Sequence, residues 1–194
     1  MKESAVPGCT GVNRHRGIDY TENDNGIVVT TSCKIEMRAR QLLICTNAFA
    51  QQLVPAIDIV PNRGQVLVTG PLNHLSFKGT FHFDKGFYYF RNLGDRILIG
   101  GARHKAFGEE NTSDMQTTEL IQQELERFIR EYLLPKTTFT ITDRWTGIMA
   151  MGVNKSPIVE AISKNVFCCV RMSGMGVALS PVVAQQAVNL MNKR

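Results

Sequence analysis

The chain has 194 residues, 43% hydrophobic and 20% charged, with a formal net charge of +5. That size supports a sizeable packed core, while the interleaving of basic and acidic residues without a block of like charges argues against nucleic-acid binding. No apolar stretch is long enough for a membrane span and the opening MKESAVPGCTG lacks a signal-peptide core, so a cytoplasmic protein without membrane attachment is expected.

Taken in chain order, GIVVTT from Gly26, KIEMRA from Lys34 and QLLICT from Gln41 read as short strands, with Asn23-Asp24-Asn25-Gly26 supplying a turn. The third is continuously apolar, as expected of a strand buried on both faces, and runs into Thr46-Asn47-Ala48 and a short helix ending near Pro55. Gln65 to Thr69, Gly79 to Phe83, Phe87 to Asn92 and Arg96 to Ile99 are spaced like an antiparallel meander. Strand alternation puts Phe87 and Tyr89 on one face and Tyr88 and Phe90 on the other, both expected to be covered.

Ile121, Leu125, Phe128 and Tyr132 predict a helix from about Thr118 to Leu134, capped by Thr117 and stopped by Pro135. TFTITDRWTGIM and PIVEAI predict strands, and Asn165 to Arg171 (NVFCCVR) a buried one. A final helix would carry Ala184, Ala187, Val188 and Met191 on its buried stripe.

Five cysteines, Cys9, Cys33, Cys45, Cys168 and Cys169, are odd in number and lack metal-ligand spacing. Free thiols and no metal site are expected, with Cys45, Cys168 and Cys169 behaving as small buried hydrophobes. His82 and His104 have no partner at metal spacing. Trp145 reads as a packing anchor, and an aromatic pair such as Tyr88 and Tyr89 more often packs a sheet than serves a site. Ser173 and Ser180 lack a Gly-x-Ser-x-Gly elbow, which argues against a hydrolase.

The most informative segment is VFCCVRMSGMGVALSP, Val166 to Pro181. A buried strand, two glycines flanking one residue and a following helix allow backbone to approach a ligand at the helix N-terminus, where free N–H groups favour negative charge. A plain strand-to-helix turn, with glycine permitting tight packing, is the alternative.

Five segments in the same order make the chain from about Gly26 onward resemble the FAD-dependent D-amino acid oxidase superfamily, which includes glycine, sarcosine and gamma-glutamylputrescine oxidases. They are ARQLLICTNAFA, PNRGQVLVTGPL, GDRILIGGARH, RWTGIM and MSGMGVALSP. The resemblance implies an α/β (α+β) fold: an antiparallel substrate-domain sheet with a packed helix, plus part of the FAD-binding strands and a C-terminal helix. Residues 1–60 would be partial FAD-domain strands, 61–150 the substrate-binding sheet and helix, and 151–194 the closing FAD-domain strands and helix.

The resemblance further implies non-covalent FAD bordered by Thr46, Asn47, Arg63, Gly64, Gly174, Met175, Gly176, Val177 and Ala178, with Gln65 entering the substrate sheet. It implies oxidation of a small amine or amino acid by transfer of hydride to flavin. Tyr89, Arg91 and Met149 become candidate substrate contacts; no catalytic residue is singled out. Met149 stands where amino-acid oxidases of the family usually offer an arginine, which favours an amine or a carboxylate held by Arg91 or Arg103.

Residues 1–25 contain no strand followed by GxGxxG; Gly8-Cys9-Thr10-Gly11 has neither the spacing nor a preceding strand. The chain is therefore expected to be the C-terminal portion of such an enzyme, either needing a partner chain that carries the dinucleotide cradle or persisting as an inactive, self-associating remnant that binds no FAD alone. A homo-oligomer is expected, because the faces awaiting the missing half would otherwise stay exposed.

Overall fold

The computed structural model describes residues 17–193; Cys9 and the Gly8 to Gly11 segment lie outside the described residues. The architecture is mixed α and β, divided between two compact units. One is formed by chain on both sides of the other, which is the continuous stretch Val60–Val153.

In the discontinuous unit, β1 (Gly17–Asn23), β2 (Gly26–Thr31) and β3 (Glu36–Ala39) form an antiparallel sheet in that order. β1 is an element the hydrophobic pattern does not announce, because GIDYTEN carries little apolar alternation. A second sheet begins with β4 (Leu42–Ile44), which is followed by a 3-10 helix over Asn47–Gln52. β10 (Ile158–Ala161) and β11 (Val166–Val170) complete this second sheet. β11 is buried throughout and lies between antiparallel β10 and parallel β4.

The apolar run of β4 therefore belongs to an edge strand, not to one buried on both faces. Leu42 and Leu43 are only half-buried, and Cys45 just beyond them is exposed. The closing helix α2 (Gly176–Asn192) packs through Val183 and Ala187 onto Cys169. That stripe differs from the expected one: Ala184 and Val188 face outward, because the helix rotates to set Val183 and Ala187, four residues apart, on the sheet.

The continuous unit holds β5 (Val60–Thr69), β6 (Thr80–Phe83), β7 (Tyr88–Leu93), β8 (Arg96–Gly101) and β9 (Ile141–Met151), in sheet order β6-β7-β8-β5-β9. Only β6, β7 and β8 form the expected meander. β5 lies between β8 and β9, because its ten residues supply two antiparallel ladders.

Helix α1 (Glu119–Phe128) continues as a π turn over Ile129–Leu133 and covers one face of this sheet. Ile121, Leu125, Phe128 and Ile129 pack onto Leu67, Tyr88, Ile97 and Ile99. Burying each large side chain contributes about 1.5–3 kcal/mol. Tyr88 is fully covered and donates to Glu124 Oε1 at 2.5 Å, whereas Tyr89 on the opposite face is 37% exposed. The expected covering of both faces thus holds for the α1 side alone within this unit.

The helix entry is capped from afar. The Gln65 side chain accepts from Thr118 N–H at 3.0 Å and donates to Thr118 Oγ1 at 2.7 Å, replacing the expected Thr117 cap. Gln65 also accepts from Gln122 Nε2 at 3.1 Å and donates to Glu110 Oε1 at 3.0 Å. Glu110 receives Arg63 through Nε at 3.1 Å and Nη2 at 2.8 Å, a two-pronged pair in which both residues are nearly inaccessible.

Glu110→Ala leaves the buried Arg63 cation only the exposed Asp114 carboxylate, 3.8 Å away, and is expected to cost about 3–5 kcal/mol; chemical denaturation would measure it. A second expectation concerns Glu124, whose carboxyl is lowered from 4.5 to about 2, first by hydrogen bonding from Arg127 and then from Tyr88. A depressed acid contributes stability that is complete above its unfolded value and is lost as pH falls through the folded one. Acid titration should therefore show the stability advantage over Glu124→Gln shrinking between pH 4.5 and about 2.

Candidate functional site

Two groups of candidate residues take shape, one in each unit. In the discontinuous unit, parallel strands β4 and β11 release their loops at the same, C-terminal end, the end where open α/β sheets bind ligands. The loop after β11 turns sharply: Arg171, Ser173 and Gly174 have φ of 62°, 47° and 78°. Only glycine adopts that region without steric cost, so Gly174 suits the turn and the other two need support.

Asn47 supplies part of that support. Its own φ is 45°, and its Oδ1 accepts from Arg171 N–H at 3.0 Å and Met172 N–H at 3.3 Å. The Arg171 side chain is buried and donates to Ser156 O at 2.8 Å, Asp58 O at 3.1 Å and Asn154 Oδ1 at 3.0 Å, and it pairs with the Asp58 carboxylate. Arg171 was not singled out from the sequence. An arginine closing a continuously buried strand is the signal that marks it.

Beyond this clasp, α2 begins with neither a side-chain cap on its N-cap residue Met175 nor an acidic residue in its first turn. Val177 is 98% exposed and Met175 54%. The first-turn N–H groups of Gly176 and Val177 have no intrahelical acceptor, and Ser173 Oγ is buried without a partner among the described residues. A Cβ added at Gly176 would lie 3.4 Å from Met172 Cβ, so packing inside the protein does not by itself demand glycine there. Gly174, Met175, Gly176, Val177 and Ala178 are thus together at one exposed helix start, with Asn47 fastened beside Arg171 and Thr46 next to it in the chain.

Arg63 and Gly64 are placed differently. The Arg63 guanidinium is held by Glu110 and Gln116 O, on the α1 side of the five-stranded sheet. It secures the chain leading into α1. Gly64 faces the other side, where a Cβ would approach Met149 Cε to 3.1 Å.

That other side is the second group. The ladders place Val66 opposite both Gly100 and Trp145, Gly100 opposite Tyr89, and Asn62 opposite Met149. Strand alternation then sets Tyr89, Arg91, Met149 and Trp145 on one face, away from α1. Trp145 is 45% exposed there, so it is not the packing anchor its type suggested.

Three glycines, Gly64, Gly100 and Gly147, leave this face low at its centre. Tyr89 leans across Gly100, where a Cβ would meet its Oη at 2.5 Å, while Gly147 has nothing within 4 Å. Burial raises the Tyr89 hydroxyl pKa, keeping it a neutral hydrogen-bonding group. His104 packs on Phe87 and Tyr88 with Nε2 4.0 Å from Asp84, and desolvation lowers its pKa.

Residues 8–190 match the sequence model of the family described as FAD dependent oxidoreductase, DAO. No protein in a comparison with curated sequences matches. Among solved structures, L-proline dehydrogenase from P. horikoshii superposes with a TM-score of 0.76 at 20% identity, over 92% of this chain and 50% of that one. Glycine oxidase from Geobacillus kaustophilus gives 0.78 at 17% identity, over 93% and 48%. The deglycating enzyme fructosamine oxidase from Aspergillus fumigatus gives 0.73 at 14%, over 92% and 45%. The chain therefore spans about half the length of the structures it resembles.

The glycines of the open face differ in what they permit. Gly100→Ala must displace Tyr89 and Val66, each within 2.6 Å of the new Cβ, and is expected to cost about 1–3 kcal/mol. Gly147→Ala adds a methyl to open space and should stay within about 0.5 kcal/mol of the parent. Denaturation midpoints of the two variants measure the contrast.

Proposed function

The chain belongs to the DAO family of FAD dependent oxidoreductases, and from that premise we propose that it is the C-terminal portion of an enzyme that oxidises a small amine or amino acid. The observation that carries this reading is the turn through left-handed Gly174 into the uncapped start of α2. An electron-rich ring edge suits that helix end, since its free N–H groups favour negative charge and no side chain competes for them. FAD, when bound, supplies the two-electron acceptor for oxidation of the C–N bond.

In this reading Gly174, Met175, Gly176, Val177 and Ala178 present backbone to non-covalently held FAD. Thr46 and Asn47 border it, Asn47 acting chiefly by holding the loop in shape. Arg63 supports the substrate sheet through Glu110, and Gly64 opens the space below Met149. Tyr89 and Arg91 orient the substrate, with the neutral Tyr89 hydroxyl offering a hydrogen bond. Met149 contributes apolar contact and no charge, so an amine is favoured, or a carboxylate met by Arg91 or by Arg103, whose buried Nη1 has no partner among the described residues.

The 194 residues contain no GxGxxG, and the chain has half the span of its structural relatives. In this reading the dinucleotide cradle is supplied from outside these 194 residues, and the enzyme works in the cytoplasm. Those relatives are named for proline, glycine and fructosamine chemistry, which supports the amine and amino-acid class without choosing within it.

A second reading is an inactive remnant that self-associates and binds no FAD alone. It is favoured by exposed apolar groups on α2, including Val177, Val182 and Val188. Titration of FAD with the chain together with the cradle-bearing half of a family member, followed by flavin fluorescence, separates the two. The first reading expects quenching that weakens for Gly176→Ala at unchanged melting temperature. Equal binding by both proteins would remove the proposed ring contact, and no binding by either, together with dimers in sedimentation, would favour the remnant.

A further inference from the structure

The sulfur atoms at the sheet end beside Asn47 belong to none of the roles above. Pairing of Cys168 with Ile44 in the parallel β4–β11 ladder puts the next residues, Cys169 and Cys45, side by side on the face that carries α2. The two thiols lie close enough for each to shift the other's titration. Cys45 is exposed and lines an apolar hollow of about 600 Å³ with Val29, Leu43, Phe49 and Leu53, whereas Cys169 is buried under Val183 and 3.8 Å from its carbonyl. Cys168 points to the other face, and Cys33 sits apart in the turn before β3.

We propose that Cys45 and Cys169 form an oxidisable dithiol, a modification site in which hydrogen peroxide entering by the exposed Cys45 closes a disulfide across β4 and β11. Neighbouring strands lie about 4.8 Å apart, inside the Cα separation of about 4.4–6.8 Å that a disulfide spans. The Cys45 thiolate attacks one peroxide oxygen, so that an S–O bond forms, the O–O bond breaks and hydroxide leaves as water after taking a proton. The Cys169 thiolate then attacks the Cys45 sulfur, forming S–S and breaking S–O, and a second water leaves. Two thiols are oxidised by two electrons and one peroxide is reduced to two waters.

The exposed member meets the oxidant and the buried member resolves it. Burial pushes both thiols above the ordinary cysteine value, so the reduced pair is not a fast thiolate and persists until oxidant is in excess. Closure draws on the residue two places before Asn47, and so reaches the amide clasp on Arg171 and Met172.

The test is peptide mapping of the 194-residue chain after treatment with excess hydrogen peroxide, alkylation of remaining thiols and digestion without reductant. The expected product is a Cys45–Cys169 cross-linked peptide, lighter by two hydrogens than the sum of its reduced parts and released by dithiothreitol. Cys33→Ser should form it unchanged, and Cys169→Ser should stop at a dimedone-reactive sulfenic acid on Cys45. Alkylatable Cys169 beside sulfinic Cys45 in the parent chain, or cross-linking of Cys45 to another cysteine, would overturn the proposal. The readout is covalent and needs no bound flavin, so its result stands apart from that of the FAD titration.

Discussion

A buried carboxylate organises the continuous unit. Glu110 lies in a connection with little regular structure, yet its side chain gathers Arg63 and Gln65 from β5 and Thr118 from the start of α1. Its backbone carbonyl also accepts from Arg63 N–H at 2.8 Å. A charge so enclosed is tolerable only when nearly every lone pair is met, and the geometry that meets them fixes how α1 enters its groove. With α1 fixed on one face, Tyr88 and the aliphatic residues beside it are drawn to that side. The alternation of the strands then delivers Tyr89, Arg91, Met149 and Trp145 to the other. The open face is thus a consequence of the buried one.

The discontinuous unit solves a related problem with one neutral amide and one charged group. Three residues near the end of β11 adopt left-handed backbone, and one side-chain amide and one buried guanidinium hold that stretch in place. Polar ties of this kind are directional, so they set the path of the chain into α2 more sharply than apolar packing would. The helix itself begins bare at its N-terminus, with no side-chain cap on Met175.

Much of this was legible from residue patterns. Continuous burial of VFCCV, the helical spacing of Ile121, Leu125 and Phe128, and the short strands around Asp84-Lys85-Gly86 follow from local periodicity and turn chemistry, and all appear in the fold. What escaped was non-local. The place of β5 between β8 and β9, the capping of α1 by Gln65 and the edge position of β4 depend on partners far along the chain, which no window of periodicity contains. The candidate site divides likewise. The segments MSGMGVALSP and PNRGQ are legible as motifs, but whether Arg63 faces a ligand or the interior depends on Glu110, forty-seven residues away.

The parallel ladder between β4 and β11 has a consequence for assembly. Asn47 and Arg171, which meet just beyond its end, are 124 residues apart in sequence, and the whole of Val60–Val153 lies between them. Closing so long a loop in a disordered chain is entropically costly, although the cost rises only by about 0.6 kcal/mol per doubling of length. A folded insert replaces most of that loop by a body whose own contacts are comparatively local. The order in which structure forms is thereby constrained: the five-stranded sheet and α1 can condense independently, and β4 waits for β11. During synthesis this leaves Leu42, Leu43 and Ile44 without their partner until β11 emerges roughly 120 residues later, an interval of about 6–25 s at ~5–20 residues per second. An unpaired apolar strand is an aggregation hazard over that interval, which makes β4, and not the open face of the five-stranded sheet, the place where chaperone dependence would originate.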